Sequence, residues 1–179
     1  MRRGPDVKLE SKYLVLATIA GFLVALDQIT KIYVHANFSL GETMPVIQDI
    51  FHITYVRNIG AAFGIFREMP ELFRSIFFKS MPPIAMGIIV YMLKGVPNED
   101  RWQVFSLSMI FGGAVGNYID RLRFGYVIDF LDIHYKDSWS YPAFNVADSA
   151  IVGGVGILLV LMAYRDYAEK KIKRANLNT

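Results

Sequence analysis

The sequence predicts a mostly α-helical membrane protein with four transmembrane helices, a small external β-sheet and both termini in the cytoplasm. Of its 179 residues, 54% are hydrophobic and 20% are charged, and the apolar residues gather into four long runs. Each run approaches the ~20 residues that a helix needs to cross the hydrocarbon core of a bilayer. A soluble domain of this size has no room for four such segments in its core. We therefore expect a single membrane domain over residues 1–179.

The four apolar runs define the expected crossings, at residues 14–34, 72–93, 102–119 and 146–164. The first begins without charge and then contains Asp27 and Lys31. Its basic flank also fits a removable signal peptide, but no small-residue cleavage site follows, so we expect the helix to be retained. The second contains a proline pair at residues 82–83, which can kink a helix. The third is uncharged, and the fourth has only Asp148 near its start.

The basic residues predict the orientation of the chain. With the N-terminus in the cytoplasm, most of the nineteen Lys and Arg residues flank the cytoplasmic helix ends, as the positive-inside rule requires. The net charge of +3 is then a topology signal. No basic stripe interleaves with aromatic residues, so no nucleic-acid partner is expected.

Both external connections carry strand-like stretches. The first connection spans about residues 35–71 and contains residues 51–56, which are rich in β-branched and aromatic side chains. The second spans about residues 120–145 and contains a similar stretch at 126–128. These stretches predict a small external sheet lying on the bilayer.

If the chain has this topology, the polar side chains that are unfavourable within a membrane all fall in one layer, at or just below the outer interface. They are Asp27, Asn58, Asn117, Asp120, Arg121, Asp129, Asn145 and Asp148. Charged groups within a membrane are rare and usually functional. Because these residues come from separate parts of the chain, their convergence predicts a site.

Several of these residues also have a simpler structural interpretation. Asp148 could cap the fourth helix through its N-terminal amides, and Asp120 and Arg121 could form an interfacial ion pair. Lys31 could extend to the lipid headgroups, and Asn58 could belong to a turn. The residues alone leave these alternatives open.

The chemistry available to the set is limited by what the chain lacks. There is no cysteine, which excludes disulfides and thiolate chemistry. No serine-hydrolase elbow, zinc-peptidase motif or phosphate loop is present. His35, His52 and His134 show no ligand-like spacing, so we expect neither metal nor cofactor. Aspartates remain, and two carboxylates held close together share one proton and can activate water.

Five motifs resemble those of the type II signal peptidases of bacteria, which are lipoprotein signal peptidases of the membrane aspartyl class. In chain order they are residues 27–31 (DQITK), 58–64 (NIGAAFG), 112–121 (GGAVGNYIDR), 127–130 (VIDF) and 144–149 (FNVADS). One such motif would be weak evidence, but five in the order of the family are specific. Four crossings with both ends inside also fit this family.

The resemblance implies an endopeptidase in the bacterial inner membrane, with its active site at the periplasmic face. Members of the family cleave prolipoproteins just before a cysteine that carries diacylglycerol, without a cofactor. The implied partners are this lipid-modified substrate, membrane lipid and globomycin-type inhibitors.

The resemblance also assigns roles to single residues. Asp129 and Asp148 match the catalytic pair, and Asp120 matches a structural position. The residues that match substrate-binding or supporting positions are Asp27, Lys31, Asn58, Asn117, Arg121 and Asn145.

Two other classes of function remain open on the residues alone. A small proton-coupled transporter or channel subunit would also carry intramembrane acids, but it would spread them through the bundle or place broken helices at the midplane. A non-catalytic assembly factor would only hold a partner helix. The crowding of the acids at one face favours the peptidase.

Overall fold

The computed structural model describes residues 10–60, 65–136 and 138–177. Residues 61–64, which belong to the second motif, lie outside the described residues, as does the basic stretch before residue 10.

The described chain forms long helices and one small sheet. The helices are α1 (Ser11–Asn37), α2 (Glu71–Lys94), α3 (Arg101–Phe124) and α4 (Val146–Leu177), and the strands are β1 (Thr43–Ile47), β2 (Phe51–Asn58), β3 (Val127–Tyr135) and β4 (Trp139–Phe144). This confirms the mostly helical class with a small sheet. Each helix contains one of the apolar runs, and α4 continues well beyond its run into the polar tail.

Three of the described helices are long and apolar enough to cross a membrane, namely Ser11–Asn37, Glu71–Lys94 and Val146–Arg174. The remaining helix, α3, carries Gln103, Asn117 and two buried serines among its apolar residues. It packs against all three other helices. Its polar groups are therefore sheltered by protein, which is where polar side chains are tolerated at membrane depth.

Glycines on α3 allow the helices to approach closely. A Cβ atom at Gly112 would lie 2.9 Å from the Cα atom of Ala20 in α1, and one at Gly116 would lie 2.6 Å from Oδ2 of Asp27. These positions have no space for a side chain, as is common where membrane helices pack tightly. The close approach brings the polar side chains of α1 within reach of α3.

The four strands form one antiparallel sheet in the order β1-β2-β3-β4. The first two strands come from the α1–α2 connection and the last two from the α3–α4 connection. Because β2 pairs with β3, the sheet joins both connections at one end of the bundle. The predicted strand at 51–56 lies within β2, and the one at 126–128 overlaps the start of β3.

The opposite end of the bundle is closed by a buried lysine. The Nζ atom of Lys12 donates hydrogen bonds to the carbonyl oxygens of Lys94 (3.0 Å) and Val96 (2.9 Å). These carbonyl groups lie at and just beyond the end of α2, where backbone acceptors lack partners within the helix. Lys12 therefore fixes the start of α1 to the end of α2.

Candidate active site

A cavity of about 660 Å³ lies between α2, α4 and the sheet. Its polar lining contains Asn58, Asn117, Arg121, Asp129 and Asp148. Its apolar lining comes mainly from α2 and the sheet, with Ile151 and Val152 added by α4. Both aspartates predicted to be catalytic therefore face one cavity with a mixed polar and apolar wall.

Asn145 connects the two aspartates. Its Nδ2 atom donates to Oδ1 of Asp129 at 2.7 Å, and its backbone N–H donates to Oδ2 of Asp148 at 3.3 Å. Asn145 itself is fully buried. One residue thus holds a carboxylate of β3 and a carboxylate of α4 on the same wall.

The start of α4 fixes the position of Asp148. The backbone N–H of Asp148 donates to Oδ1 of Asn145 at 2.9 Å, which returns the hydrogen bond that Asn145 gives to the Asp148 carboxylate. Such reciprocal pairs satisfy the free N–H groups at a helix start. The capping interpretation of Asp148 is therefore correct, and the cap also holds its carboxylate in place at the cavity.

The remaining carboxylate oxygens receive amide donors. Asn58 Nδ2 donates to Oδ2 of Asp129 at 3.0 Å, and Asn117 Nδ2 donates to Oδ1 of Asp148 at 2.7 Å. The Asn58 Oδ1 atom accepts the N–H of Gly60 at 3.0 Å, so the turn interpretation of Asn58 is also correct. These amide groups are neutral, and they orient both carboxylates without supplying a positive charge.

The environment of Asp129 favours its protonated form. Burial raises the pKa of Asp129 to about 7, and the negative charge of Asp148 contributes to the rise. The hydrogen bonds from Asn58 and Asn145 act in the opposite direction. A carboxyl group whose pKa lies near neutral pH can both give and take a proton there, as acid–base catalysis requires.

Lys31 lies behind this layer, at the centre of a buried polar cluster. Its Nζ atom contacts Oδ2 of Asp27 at 2.8 Å, Oδ2 of Asp120 at 3.0 Å and Oδ1 of Asn117 at 2.9 Å. Its side chain is 1% exposed, so the interpretation that it extends to lipid headgroups is wrong. The ion-pair partner of Asp120 is Lys31, and the pairing of Asp120 with Arg121 that the sequence left open is likewise wrong.

The acids of this cluster hold the backbone beside each cavity aspartate. Asp27 accepts the N–H of Ala147 at 2.9 Å, next to Asp148 in the chain. Asp120 accepts the N–H of Ile128 at 3.1 Å, next to Asp129. The two acids therefore act on the cavity through the backbone.

Gln28 is a further member of the cluster that sequence reasoning missed. Its Nε2 atom donates to Oδ1 of Asp120 at 2.9 Å and to the carbonyl oxygen of Gly116 at 3.2 Å. Gln28 follows Asp27 directly in the first motif, and this position could have indicated that it belongs to the cluster.

Arg121 lines the cavity, but its hydrogen bond goes to the backbone and not to an aspartate. Its Nη2 atom donates to the carbonyl oxygen of Gly60 at 2.7 Å, and its guanidinium group lies 3.8 Å from the ring centre of Phe78. Its Nη1 atom is buried and has no hydrogen-bond partner among the described residues. Arg121 therefore keeps a free donor in a residue that lines the cavity.

Comparison with known proteins assigns the chain to a family. The family model described as signal peptidase (SPase) II matches residues 19–164. The lipoprotein signal peptidase of Syntrophus aciditrophicus is 49% identical over 152 residues, which are 84% of this chain and 94% of that protein. The lipoprotein signal peptidase of Geobacter sulfurreducens is 43% identical over 146 residues, which are 82% of this chain and 89% of that protein.

Two solved structures resemble the fold. Each is described as a bacterial membrane enzyme structure obtained by the in meso method, one at 2.3 Å resolution and the other at 1.9 Å. The first has a TM-score of 0.76 at 31% identity and covers 87% of this chain and 90% of its own. The second has a TM-score of 0.71 at 32% identity, with coverage of 82% and 91%. From the family model and these identities, the chain belongs to the signal peptidase II family.

Proposed function

We propose that this member of the signal peptidase II family uses Asp129 and Asp148 as its catalytic pair and cleaves prolipoproteins just before the diacylglyceryl-modified cysteine. Membership of the family supports an enzyme that removes prolipoprotein signal peptides. The observation that carries the residue assignment is the bridge through Asn145, which bonds both carboxylates at the wall of one cavity.

The pair carries out the hydrolysis with one shared proton. The ionised carboxylate takes a proton from a water molecule as its oxygen attacks the scissile carbonyl carbon. The protonated carboxyl donates its proton to the carbonyl oxygen, which gives a neutral tetrahedral intermediate. The first carboxyl then donates the proton it took from water to the amide nitrogen, and the second carboxylate takes back a proton from a hydroxyl group of the intermediate. The C–N bond breaks, which leaves a carboxyl group on the signal peptide and a free amine on the cysteine. The pKa of Asp129, raised to about 7, supports such sharing near neutral pH.

The apolar wall of the cavity suits a lipid-bearing substrate. Met81 of α2 and Val152 of α4 line the cavity and are 43% and 67% exposed. The acyl chains enter from the bilayer between these helices. Each CH₂ group that they bury contributes ~0.8 kcal/mol, so the lipid supplies affinity without many side-chain contacts. Globomycin-type inhibitors occupy the same cavity.

The same proposal has four crossings, with the site at the periplasmic face of the inner membrane, and the sheet is one argument for it. Both connections that form the sheet lie on one side, so α2 leads away from it and α3 leads back. If α1, α2 and α4 span the bilayer, α3 must span it too. The basic residues near the opposite ends favour a cytoplasmic location for those ends and for both termini.

Substitution of each aspartate tests the assignment. We expect Asp129→Asn and Asp148→Asn each to lower the cleavage rate by about 10²–10⁴-fold, the usual contribution of a general acid or base. The assay is the size shift of a diacylated prolipoprotein in detergent. Asp166→Asn, an exposed aspartate on α4, is the matched control and should retain the parental rate. Near-parental cleavage by either folded dyad variant would remove the assignment.

A further inference from the structure

Three side chains with metal-ligating atoms converge on β2 and β3, outside the active-site cavity. His52, Asp132 and His134 each offer one ligand atom, and these atoms all lie within 4.8 Å of one another. His52 is directly opposite Asp132 in the β2–β3 register. His134 is two positions further along β3 and therefore lies on the same face as Asp132. The register thus joins two histidines that are far apart in the chain.

The contacts within this cluster leave one imidazole nitrogen, Nε2 of His52, without a hydrogen-bond partner among the described residues. Oδ1 of Asp132 lies 3.5 Å from Nδ1 of His134, and Oδ2 accepts the hydroxyl of Thr54 at 2.9 Å. The two imidazole rings have their centres 4.2 Å apart. The Nε2 atom of His52 is also buried. A buried polar atom without a partner is costly, and a bound ion would satisfy this one.

We propose that His52, Asp132 and His134 bind a divalent transition metal ion, with Zn²⁺ as the best match. Two imidazoles and one carboxylate suit Zn²⁺, and a water molecule completes the tetrahedral site. Mg²⁺ and Ca²⁺ prefer oxygen ligands and fit this set poorly. The hydrogen bond from Thr54 orients the carboxylate, which is the usual role of a group behind a metal ligand.

The site lies away from the active-site cavity, so the ion would act on the sheet and not on the peptide substrate. Asp132 and Asp129 are three positions apart on β3, so they lie on opposite faces of the strand. None of the three ligands lines the cavity. The ion would instead tie β2 to β3, the strands that carry Asn58 and Asp129.

Metal titration of the full-length protein tests the proposal. The protein is purified in detergent with an affinity tag that contains no histidine, stripped with a chelator, and titrated with Zn²⁺ alone by calorimetry and with Co²⁺ alone by visible absorption. We expect one ion per chain, a four-coordinate Co²⁺ spectrum, and a higher thermal midpoint with Zn²⁺. Mg²⁺ in excess should not compete.

Matched variants identify the ligands. His52→Ala and His134→Ala should each weaken Zn²⁺ binding at least 10-fold and abolish the metal-dependent rise in thermal midpoint. Thr54→Val should weaken binding less, because it removes only the group behind the carboxylate. His35→Ala is the control, since His35 contacts Tyr55 on Oη and lies outside the cluster. His52→Asn replaces His52→Ala if the latter does not fold. Absence of binding at millimolar free Zn²⁺, or equal affinity in the folded His52, His134 and His35 variants, would overturn the proposal.

Discussion

In the part of the chain that the structure describes, no cation contacts the Asp129 carboxylate directly, and this leaves its pKa free to rise on burial. The nearest buried ammonium group, that of Lys31, is bound to Oδ1 of Asn117, and Asn117 in turn donates to Asp148. A lysine in direct contact with a carboxylate would favour the ionised form strongly. Asn117 and Asn145 therefore transmit orientation from the charged cluster to the carboxylates without transferring a full charge.

The raised pKa of Asp129 predicts a specific dependence of stability on pH. Its pKa is about 7 in the folded protein and 3.8 ordinarily, so between these values the folded state binds more protons than the unfolded state. The contribution of Asp129 to the unfolding free energy is therefore greatest below pH ~4 and falls by a few kcal/mol as pH rises to 7. Because the amide that replaces the carboxyl does not titrate, the thermal midpoint of the parent should fall relative to that of Asp129→Asn as pH rises across this range. Parallel profiles would contradict this origin of the shift.

Lys31 should be among the most important residues for stability. Its removal leaves the carboxylates of Asp27 and Asp120 buried without their cation. Loss of one member of a buried ion pair usually destabilises a protein by about 3–5 kcal/mol. We expect Lys31→Met to lower the thermal midpoint in detergent strongly. Lys170→Met removes an exposed lysine that pairs with Asp166 and should have little effect, because surface pairs contribute about 0–1 kcal/mol. Similar midpoints for the two variants would show that the buried cluster does not stabilise the fold.

At the scale of elements, the site is assembled from the first residues of β3 and α4. Both elements are attached at their starts to acids on α1 and α3, through the N–H groups of Ile128 and Ala147. The geometry of the two aspartates therefore depends on how closely α1, α3 and α4 pack. A small change in helix spacing would move both carboxylates.

Two glycines on α4 test this dependence on packing. A Cβ atom at Gly154 would lie 2.7 Å from the backbone oxygen of Ser106 in α3, whereas one at Gly156 would meet nothing within 4 Å. Both alanine substitutions gain helix propensity, but only Gly154→Ala also forces the helices apart, at a cost of about 1–3 kcal/mol. We expect Gly154→Ala to lower the thermal midpoint and the cleavage rate, and Gly156→Ala to keep both. Equal behaviour of the two variants would show that the α3–α4 spacing is not limiting.

The sequence predicts the elements better than their contacts. The apolar runs mark the four helices because length and composition alone identify them, and the β-branched stretch at 51–56 marks β2. Burial of Lys31 is not predictable in this way, because it depends on the close approach of α1 and α3 at Gly116. The proximity of His52 and His134 depends on strand register, and no local spacing in the chain encodes it.

The resemblance of the motifs predicted which residues belong to the site, but it did not predict the hydrogen bonds between them. All eight predicted residues lie in or directly behind the cavity wall, because the motifs mark positions in the fold independently of the contacts made there. The sequence did not show that Asn145 bonds both carboxylates, since that contact needs the end of one connection to meet β3.

At the scale of the whole molecule, the sheet is the main constraint on the threading that we propose for the chain. It hydrogen-bonds the α1–α2 connection to the α3–α4 connection, so both must be on the same side of the membrane. The short α2–α3 connection lies at the other end of the bundle, where Lys12 caps α2. In this proposal α3 has to cross the bilayer, because otherwise β2 and β3 would lie on opposite sides of it and could not pair.

This threading predicts which loops face the periplasm. The chain has no cysteine, so single cysteines can be introduced without background at two exposed sites, Gln48→Cys between β1 and β2 and Glu99→Cys between α2 and α3. In intact spheroplasts, a membrane-impermeant maleimide should label Gln48→Cys and leave Glu99→Cys unlabelled until the membrane is opened. Ser138→Cys, before β4, should behave like Gln48→Cys because the two connections share one sheet. Labelling of Gln48→Cys and Ser138→Cys from opposite sides would be incompatible with the sheet, and labelling of Glu99→Cys in intact spheroplasts would reverse the orientation.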